Sequence, residues 1–246
     1  MTMSLTKAMI FAAGRGERMR PLTDHTPKPL LEAGGKPLIV WQIERLAQAG
    51  FRTIVINHAW LGERIEAALG DGSRWGVELR YSAEQEALET AGGIAQALPL
   101  LEDAPAAEGA PGEVFVGVAG DVYADFDYAS LRAHATRLAA QAEPGMHLVM
   151  VPNPPFHPAG DFGLVDGVVL PDGKPRLTFA SIALYDTRMF RALARGTRRP
   201  LTPYYFETVA RGLASGEVYE GLWDNVGTVA QLQALDDRLR QAAAQS

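Results

Sequence analysis

The chain has no cysteine. That excludes disulfides, thiolate nucleophiles and cysteine-ligated zinc, and it fits a reducing compartment. No apolar run approaches the ~18 residues that a membrane-crossing helix needs. The first residues, MTMSLTK, carry no apolar core of the secretory kind. A cytoplasmic location with no membrane partner is therefore expected. A basic excess is missing too: 23 Lys and Arg stand against 29 Asp and Glu, a formal net charge of −6. Composition thus gives no reason to expect nucleic acid as a partner. Neither G-x-G-x-x-G, a G-K-[ST] phosphate loop, nor a G-x-S-x-G nucleophile turn occurs. The five histidines have no metal-ligand spacing and are read as structural or surface residues.

What remains is an ordinary globular composition over 246 residues, 47% hydrophobic and 21% charged, enough to bury an ample core. Apolar runs alternate with amphipathic segments. Strands are expected at 9–13, 53–57, 77–81, 114–119 and 146–151. Helices are expected at 37–50, 61–69, 88–98, 128–141, 201–216 and 229–243. The segment 201–216 should run into a strand near Tyr219. Strand–helix–strand at this rhythm predicts βαβ units and a mostly parallel sheet with right-handed crossovers. An antiparallel portion should follow across 161–185. The Ala-, Pro- and Gly-rich stretch 102–113 reads as a surface loop.

Two places carry chemistry. The first apolar run stops at Gly14-Arg15-Gly16, followed by Arg18, Arg20 and Lys28 among Pro21, Pro27 and Pro29. Glycine permits positive φ and close approach, so such a loop can turn backbone N–H groups toward an anion. The prolines stiffen it and bar a long helix. A stiff cationic loop at a strand's end suits a polyphosphate. In the second place, 114–119 runs into Gly120-Asp121, placing a carboxylate at the carboxyl edge of the sheet, where open α/β folds bind ligands. Beside a phosphate loop, that hard oxygen donor predicts Mg2+. Asp125 and Asp127 are read as turn and helix-cap residues.

The pattern G-x-G-x-R-M-x-P-x-T followed by K-P-L, at 14–23 and 28–30, resembles the sugar-1-phosphate nucleotidyltransferase family over nearly the whole chain. The segments INHAWLG (56–62), GDGSR (70–74) and LETAGGI (88–94) are most similar to its bacterial uridylyltransferases of cell-wall recycling. The resemblance implies an α/β fold of the nucleotide-diphospho-sugar transferase type. This is a Rossmann-like three-layer α/β/α arrangement with a mostly parallel central sheet and a smaller antiparallel sugar-binding portion. One domain spans 1–246, with 7–127 as its nucleotide half and 128–246 as its sugar half with the C-terminal helix.

The implied reaction is Mg2+-dependent transfer from a nucleoside triphosphate, UTP, to a sugar-1-phosphate, first N-acetylmuramate-1-phosphate. Another pair, such as GTP with mannose-1-phosphate or a heptose phosphate, stays open, as does a non-catalytic nucleotide-sugar sensor. Arg18 and Lys28 are the implied catalytic residues. Ala13, Gly14, Gly16, Glu17, Arg18, Lys28, Glu84, Gly92 and Gly120 would hold the nucleotide, with Glu84 and Gly92 at the base. Ala119, Asp161 and Ser181 would face the sugar phosphate, and Asp121 and Asn225 the metal.

Three positions depart from the family's pattern. Asn225 stands where an aspartate commonly precedes V-G-T, with Asp224 as a possible substitute. Ala119 replaces an asparagine, and Ser181 a glycine. The last two fall on the sugar side. No C-terminal repeat domain of the kind found in bifunctional relatives is visible, so a second, acyl-transfer activity is not expected.

Overall fold

The computed structural model describes residues 5–103 and 110–245. Of the loop expected at 102–113, positions 104–109 lie outside the described residues. The strands are β1 (Lys7–Phe11), β2 (Glu32–Ala33), β3 (Lys36–Pro37), β4 (Thr53–His58), β5 (Glu78–Ala83), β6 (Val114–Ala119), β7 (Val122–Ala124), β8 (Met146–Val151), β9 (Phe162–Val165), β10 (Val168–Leu170), β11 (Arg176–Asp186), β12 (Ala214–Val218) and β13 (Trp223–Asn225). The helices are α1 (Leu38–Gln48), α2 (Gly62–Leu69), α3 (Glu89–Leu101), α4 (Arg132–Ala139), α5 (Thr202–Ala210) and α6 (Val229–Ala244).

Nine strands form one sheet in the order β5-β4-β1-β6-β11-β8-β12-β10-β9. β1, β4, β5 and β6 are mutually parallel, and β12 is parallel to β8. β11 runs antiparallel between β6 and β8, joining the two halves of the chain in one sheet. A strand covered on both faces must be apolar at every position. In β1, Ala8 and Ile10 enter one core while Met9 enters the other, all fully buried. Ile39 and Ile43 of α1, Ile65 of α2 and Ala135 of α4 belong to the first core. Ala91 and Ile94 of α3 and Val209 of α5 belong to the second, giving three layers. A third cluster joins Met19, Leu31 and Leu38 to Val226 and Leu235 of α6.

The expected elements are present, with two corrections. The segment 201–216 is not one helix: α5 ends at Ala210, and 214–218 is β12, paired with β8. The stop is Gly212, at φ +70°, a conformation that favours glycine. The segment 128–141 opens as a single 3-10 turn, Tyr128–Leu131, before α4. Asp127 caps that turn by accepting from the Ala129 N–H at 2.9 Å. Among the described residues, no helix is long and apolar enough to cross a membrane.

Candidate active site

β1 and β6 end side by side, Phe11 opposite Ala119. The Gly120 N–H donates to the Phe11 carbonyl at 2.9 Å, and a Cβ on Gly120 would sit 3.1 Å from that oxygen. Glycine thus lets β6 close against β1 just where the chain releases Asp121 beyond the sheet. The buried Lys28 ammonium ion-pairs with Asp121 Oδ2. Its approach depends on Gly16, at φ +69°, where a Cβ would lie 3.0 Å from both Lys28 Cβ and Thr23 Cγ2. Between them the proline-rich segment makes three 3-10 turns, 17–19, 22–24 and 28–30. Thr23 ties it down, its hydroxyl donating to the Gly16 carbonyl at 2.9 Å and its own carbonyl accepting from Trp60 Nε1 at 3.0 Å.

The loop's cations divide by role. Arg20 is committed to Asp24 at 2.7 Å, and Arg15 stacks over the Trp60 ring at 4.5 Å. Arg18 is exposed, makes no ion pair among the described residues, and lies against Gly227, where a Cβ would be 3.1 Å from its Nη2. It is free to meet an anion.

Three larger cavities lie in this region. One of about 310 Å³ is lined by Gly14, Gly16, Glu17, Arg18, Lys28, Asp121 and Gly227. A second, of about 510 Å³, shares Gly14, Gly16 and Glu17 and extends past Ala13, Phe11 and Asn57 to Thr90 and Arg198. A third, of about 410 Å³, has aromatic walls (Phe156, Phe162, Phe179, Tyr205, Phe206, Trp223) with Asp161, Thr178, Ser181 and Asn225 among its polar groups. A small chamber holding Arg18, Glu17 and the Lys28–Asp121 pair therefore sits beside a larger cleft, and Asn225 lines a separate aromatic pocket.

Glu84 and Gly92, expected at the base, serve the cleft from behind. Glu84 is 5% exposed, and its carboxylate accepts from Asn57 Nδ2 at 2.7 Å and from the Leu88 N–H at 2.8 Å. Asn57 Oδ1 in turn accepts from the Ala12 N–H at 3.1 Å, fixing the start of the glycine-rich loop. Burial outweighs the two donors and raises the Glu84 carboxyl above its ordinary value. A Cβ on Gly92 would lie 2.3 Å from the Thr197 carbonyl, so this glycine seats α3 against the 197–199 segment. Asn57 falls within the INHAWLG segment but carries no site role in the sequence reading, and Arg198 has none either. Asn57 lay inside a strand pattern, and Arg198 reaches the cleft only through the tertiary fold.

On the aromatic side, Asp161 Oδ2 accepts from the Phe179 N–H at 2.8 Å and Oδ1 lies 3.0 Å from His157 Nε2. It lines the pocket and also pins the bulge in β11 between Phe179 and Ala183. Ser181 sits in that bulge at φ +57°, which explains why a glycine is the expected residue there. Ala119 is half-buried at the end of β6 and lines none of the three cavities.

β13 pairs with β7, Asn225 opposite Val122 and Asp224 opposite Tyr123, and the Val226 N–H donates to the Asp121 carbonyl at 3.0 Å. Asn225 therefore lies beside Asp121. Asp224 points away and ion-pairs with Arg238 of α6. Among the described residues, Asp121 Oδ1 and the Asn225 side chain make no hydrogen bond. Two uncommitted hard oxygen donors beside the small chamber lined by Arg18 and Lys28 suit a divalent cation that keeps waters and phosphate oxygens as its other ligands.

The nucleotidyl transferase family profile matches residues 7–169. The chain is 50% identical over 231 residues to an N-acetylmuramate alpha-1-phosphate uridylyltransferase of Neisseria meningitidis serogroup B, covering 92% of this chain and 95% of that one. It is 32% identical to the protein of the same name from Caulobacter vibrioides, covering 96% and 97% respectively. Among solved structures, a Bacillus anthracis protein assigned as a glucose-1-phosphate thymidylyltransferase, in complex with a sucrose, superposes with a TM-score of 0.79. The identity is 21%, and 95% of each chain is covered, a likeness of fold.

Proposed function

The chain belongs to the nucleotidyl transferase family, and on that footing we propose that it transfers the uridylyl group of UTP to N-acetylmuramate-1-phosphate. The products are a UDP-sugar and pyrophosphate. The substrates are those in the names of its relatives. The observation that carries the reading is the Lys28–Asp121 pair, which lines the same small chamber as Gly14, Gly16 and Arg18.

A phosphate oxygen of the sugar-1-phosphate attacks the α-phosphorus of UTP. The bond from that phosphorus to the bridging oxygen breaks, and pyrophosphate leaves with the electron pair. The nucleophile is already an anion, so no covalent enzyme intermediate and no general base are required. The protein's contribution is positioning and charge neutralisation. Backbone N–H groups of 14–18 hold the triphosphate. Arg18 offsets charge growing on the leaving pyrophosphate. Lys28 bridges the α-phosphate and the incoming phosphate, drawing two like-charged reactants together. The aromatic walls stack on the sugar, covering its apolar face and the methyl groups of its substituents. Asp121 and Asn225 hold a divalent cation, Mg2+, which when bound neutralises phosphate charge as template and Lewis acid. A cytoplasmic role in recycling cell-wall sugar follows from the substrate.

The test is pyrophosphate release from the protein with Mg2+, each of five nucleoside triphosphates (dTTP included) and a panel of sugar-1-phosphates. Release is expected with UTP and N-acetylmuramate-1-phosphate. Release confined to another pair, such as GTP with mannose-1-phosphate, would replace the substrate assignment. No release with any pair would make the protein a nucleotide-sugar sensor.

A further inference from the structure

α4, β8 and β12 bring three potential metal ligands together on the sheet face covered by α4. His134, His147 and Glu217 each offer one ligand atom, all within 4.8 Å of one another. The strand register explains the meeting. In the parallel β8–β12 pair, Ser215 lies opposite His147 and Glu217 opposite Val149, so all four side chains share one face. His147 enters from the start of β8, while Asp121, Asn225 and the phosphate loop lie at the carboxyl ends of β6 and β1. The cluster is separate from the nucleotide site.

The three groups do not satisfy one another. His147 Nε2 is 3.6 Å from Glu217 Oε1, and His134 Nε2 is 3.7 Å from Glu217 Oε2, both too long for hydrogen bonds. His147 is 1% exposed; its Nε2 and Glu217 Oε1 are shut off from solvent and have no hydrogen-bond partner among the described residues. Leaving a buried polar atom unpaired is costly, and native folds seldom do so without a reason. The two imidazoles stack at 3.8 Å with a 32° tilt. The far nitrogen of His147, Nδ1, is held by the Ser215 hydroxyl at 2.9 Å. An outer hydrogen bond of this kind fixes ring orientation and tautomer in metal-binding histidines.

From this geometry we infer that His134, His147 and Glu217 form a second cation site, for Zn2+ or a similar transition metal, and not for Mg2+. Two imidazoles and one carboxylate are the donors that borderline-soft ions prefer, whereas Mg2+ favours an all-oxygen shell. Three protein ligands leave a fourth position for water. The half-exposed His134 and Glu217, with side chains 23% and 28% accessible, give an entry route. The bound ion clips α4 to β8 and β12.

Arg137 sets the competing state. Its Nη2 lies 2.8 Å from His134 Nδ1, and since arginine can only donate, that nitrogen accepts. His134 then carries its proton on Nε2, the nitrogen the metal needs. Binding shifts that proton to Nδ1 and turns the exposed Arg137 out to solvent. Removing Arg137 should therefore tighten binding, an effect that a purely structural histidine cluster does not produce.

The experiment is calorimetric titration of Zn2+ alone into untagged, chelator-treated protein carrying Asp121→Asn, which weakens the nucleotide-site cation. Co2+ absorption serves as a second readout. One Zn2+ per chain is expected, with d–d bands characteristic of mixed nitrogen and oxygen ligation. Glu217→Gln and His134→Ala should abolish the bands. Ser215→Ala should weaken binding by about 10- to 100-fold, as loss of an outer-sphere partner does. Arg137→Ala should strengthen it several-fold. His134 and Glu217 lie at the cluster's open side, so their variants avoid the folding risk of replacing buried His147, and circular dichroism checks this. No stoichiometric binding, or binding unchanged in both Glu217→Gln and His134→Ala, would overturn the site.

Discussion

At the scale of single residues, the site's charges are arranged to be exchanged. Lys28 is paired with Asp121 before any phosphate arrives, and in the proposed mechanism its ammonium serves two phosphates as well. Lys28→Ala should lower kcat about 100- to 1,000-fold, the usual loss of one donor aimed at developing charge. Steady-state pyrophosphate release checks this, and near-normal turnover would remove Lys28 from the mechanism. Ser181 concerns stability. A side chain at φ +57° costs roughly 1–2 kcal/mol, partly recovered by glycine's larger loss of freedom on folding. Ser181→Gly should therefore raise stability by about 0.5–1 kcal/mol, read as a higher melting temperature, and a lower one would show that the hydroxyl compensates. Glu84 concerns pH. Its folded carboxyl holds its proton to higher pH than the unfolded chain does. The stability this contributes is complete below the unfolded value near 4.5 and is lost as pH rises through the folded one. In urea titrations from pH 4 to 8, Glu84→Gln should remove that downward slope. A slope identical to that of the parent protein would assign it to other groups.

At the scale of elements, what could be read in advance depended on whether a signal was local. β1, β4, β6 and β8 announced themselves because strands buried on both faces must be continuously apolar. The phosphate loop was legible because glycines, prolines and cations are all needed within one short stretch. β12 was not: ASGEV is short and half polar, and Gly212 and Gly216 both lie where a helix could stop. The Asn57–Glu84 link and the His134–His147–Glu217 cluster were invisible for a deeper reason, since each joins side chains from separate elements. Gly92 shows the same limit. Its motif pointed to the nucleotide, yet its missing side chain makes room for the Thr197 carbonyl. That contact lets the Gly92 N–H donate to Arg199 O at 3.0 Å and the Arg199 N–H to Leu88 O at 2.9 Å. Gly92→Ala should push α3 off this segment, costing about 1–3 kcal/mol. Because Thr90 and Arg198 line the cleft, KM for UTP should rise while KM for the sugar phosphate stays near its original value. Equal changes in both would argue against a nucleotide-side role for this contact.

At the scale of the whole molecule, β11 fuses the two halves into one sheet, and β13 returns the chain's end to the first half beside β7. Asp121 comes from the half that carries the phosphate loop and Asn225 from the half that carries the aromatic pocket. The Val226 N–H to Asp121 carbonyl bond locks their backbones together. A cation shared by these two side chains would thus register the nucleotide against the sugar phosphate, so neither half could be productive alone. Chelation should abolish pyrophosphate release, and Mg2+ should restore it. An amide supplies an oxygen without the charge of a carboxylate, and Asp224 is held away by Arg238. Asn225→Asp should therefore lower the Mg2+ concentration for half-maximal rate several-fold, because the site gains a negative ligand. The added charge also opposes the approach of an anionic sugar phosphate, so KM for that substrate should rise in the same variant. Tighter Mg2+ dependence together with weaker sugar-phosphate binding is the signature of a ligand at the junction. If Asn225→Asp leaves the Mg2+ dependence unchanged, Asn225 is not a ligand and Asp121 binds the ion with phosphate and water alone.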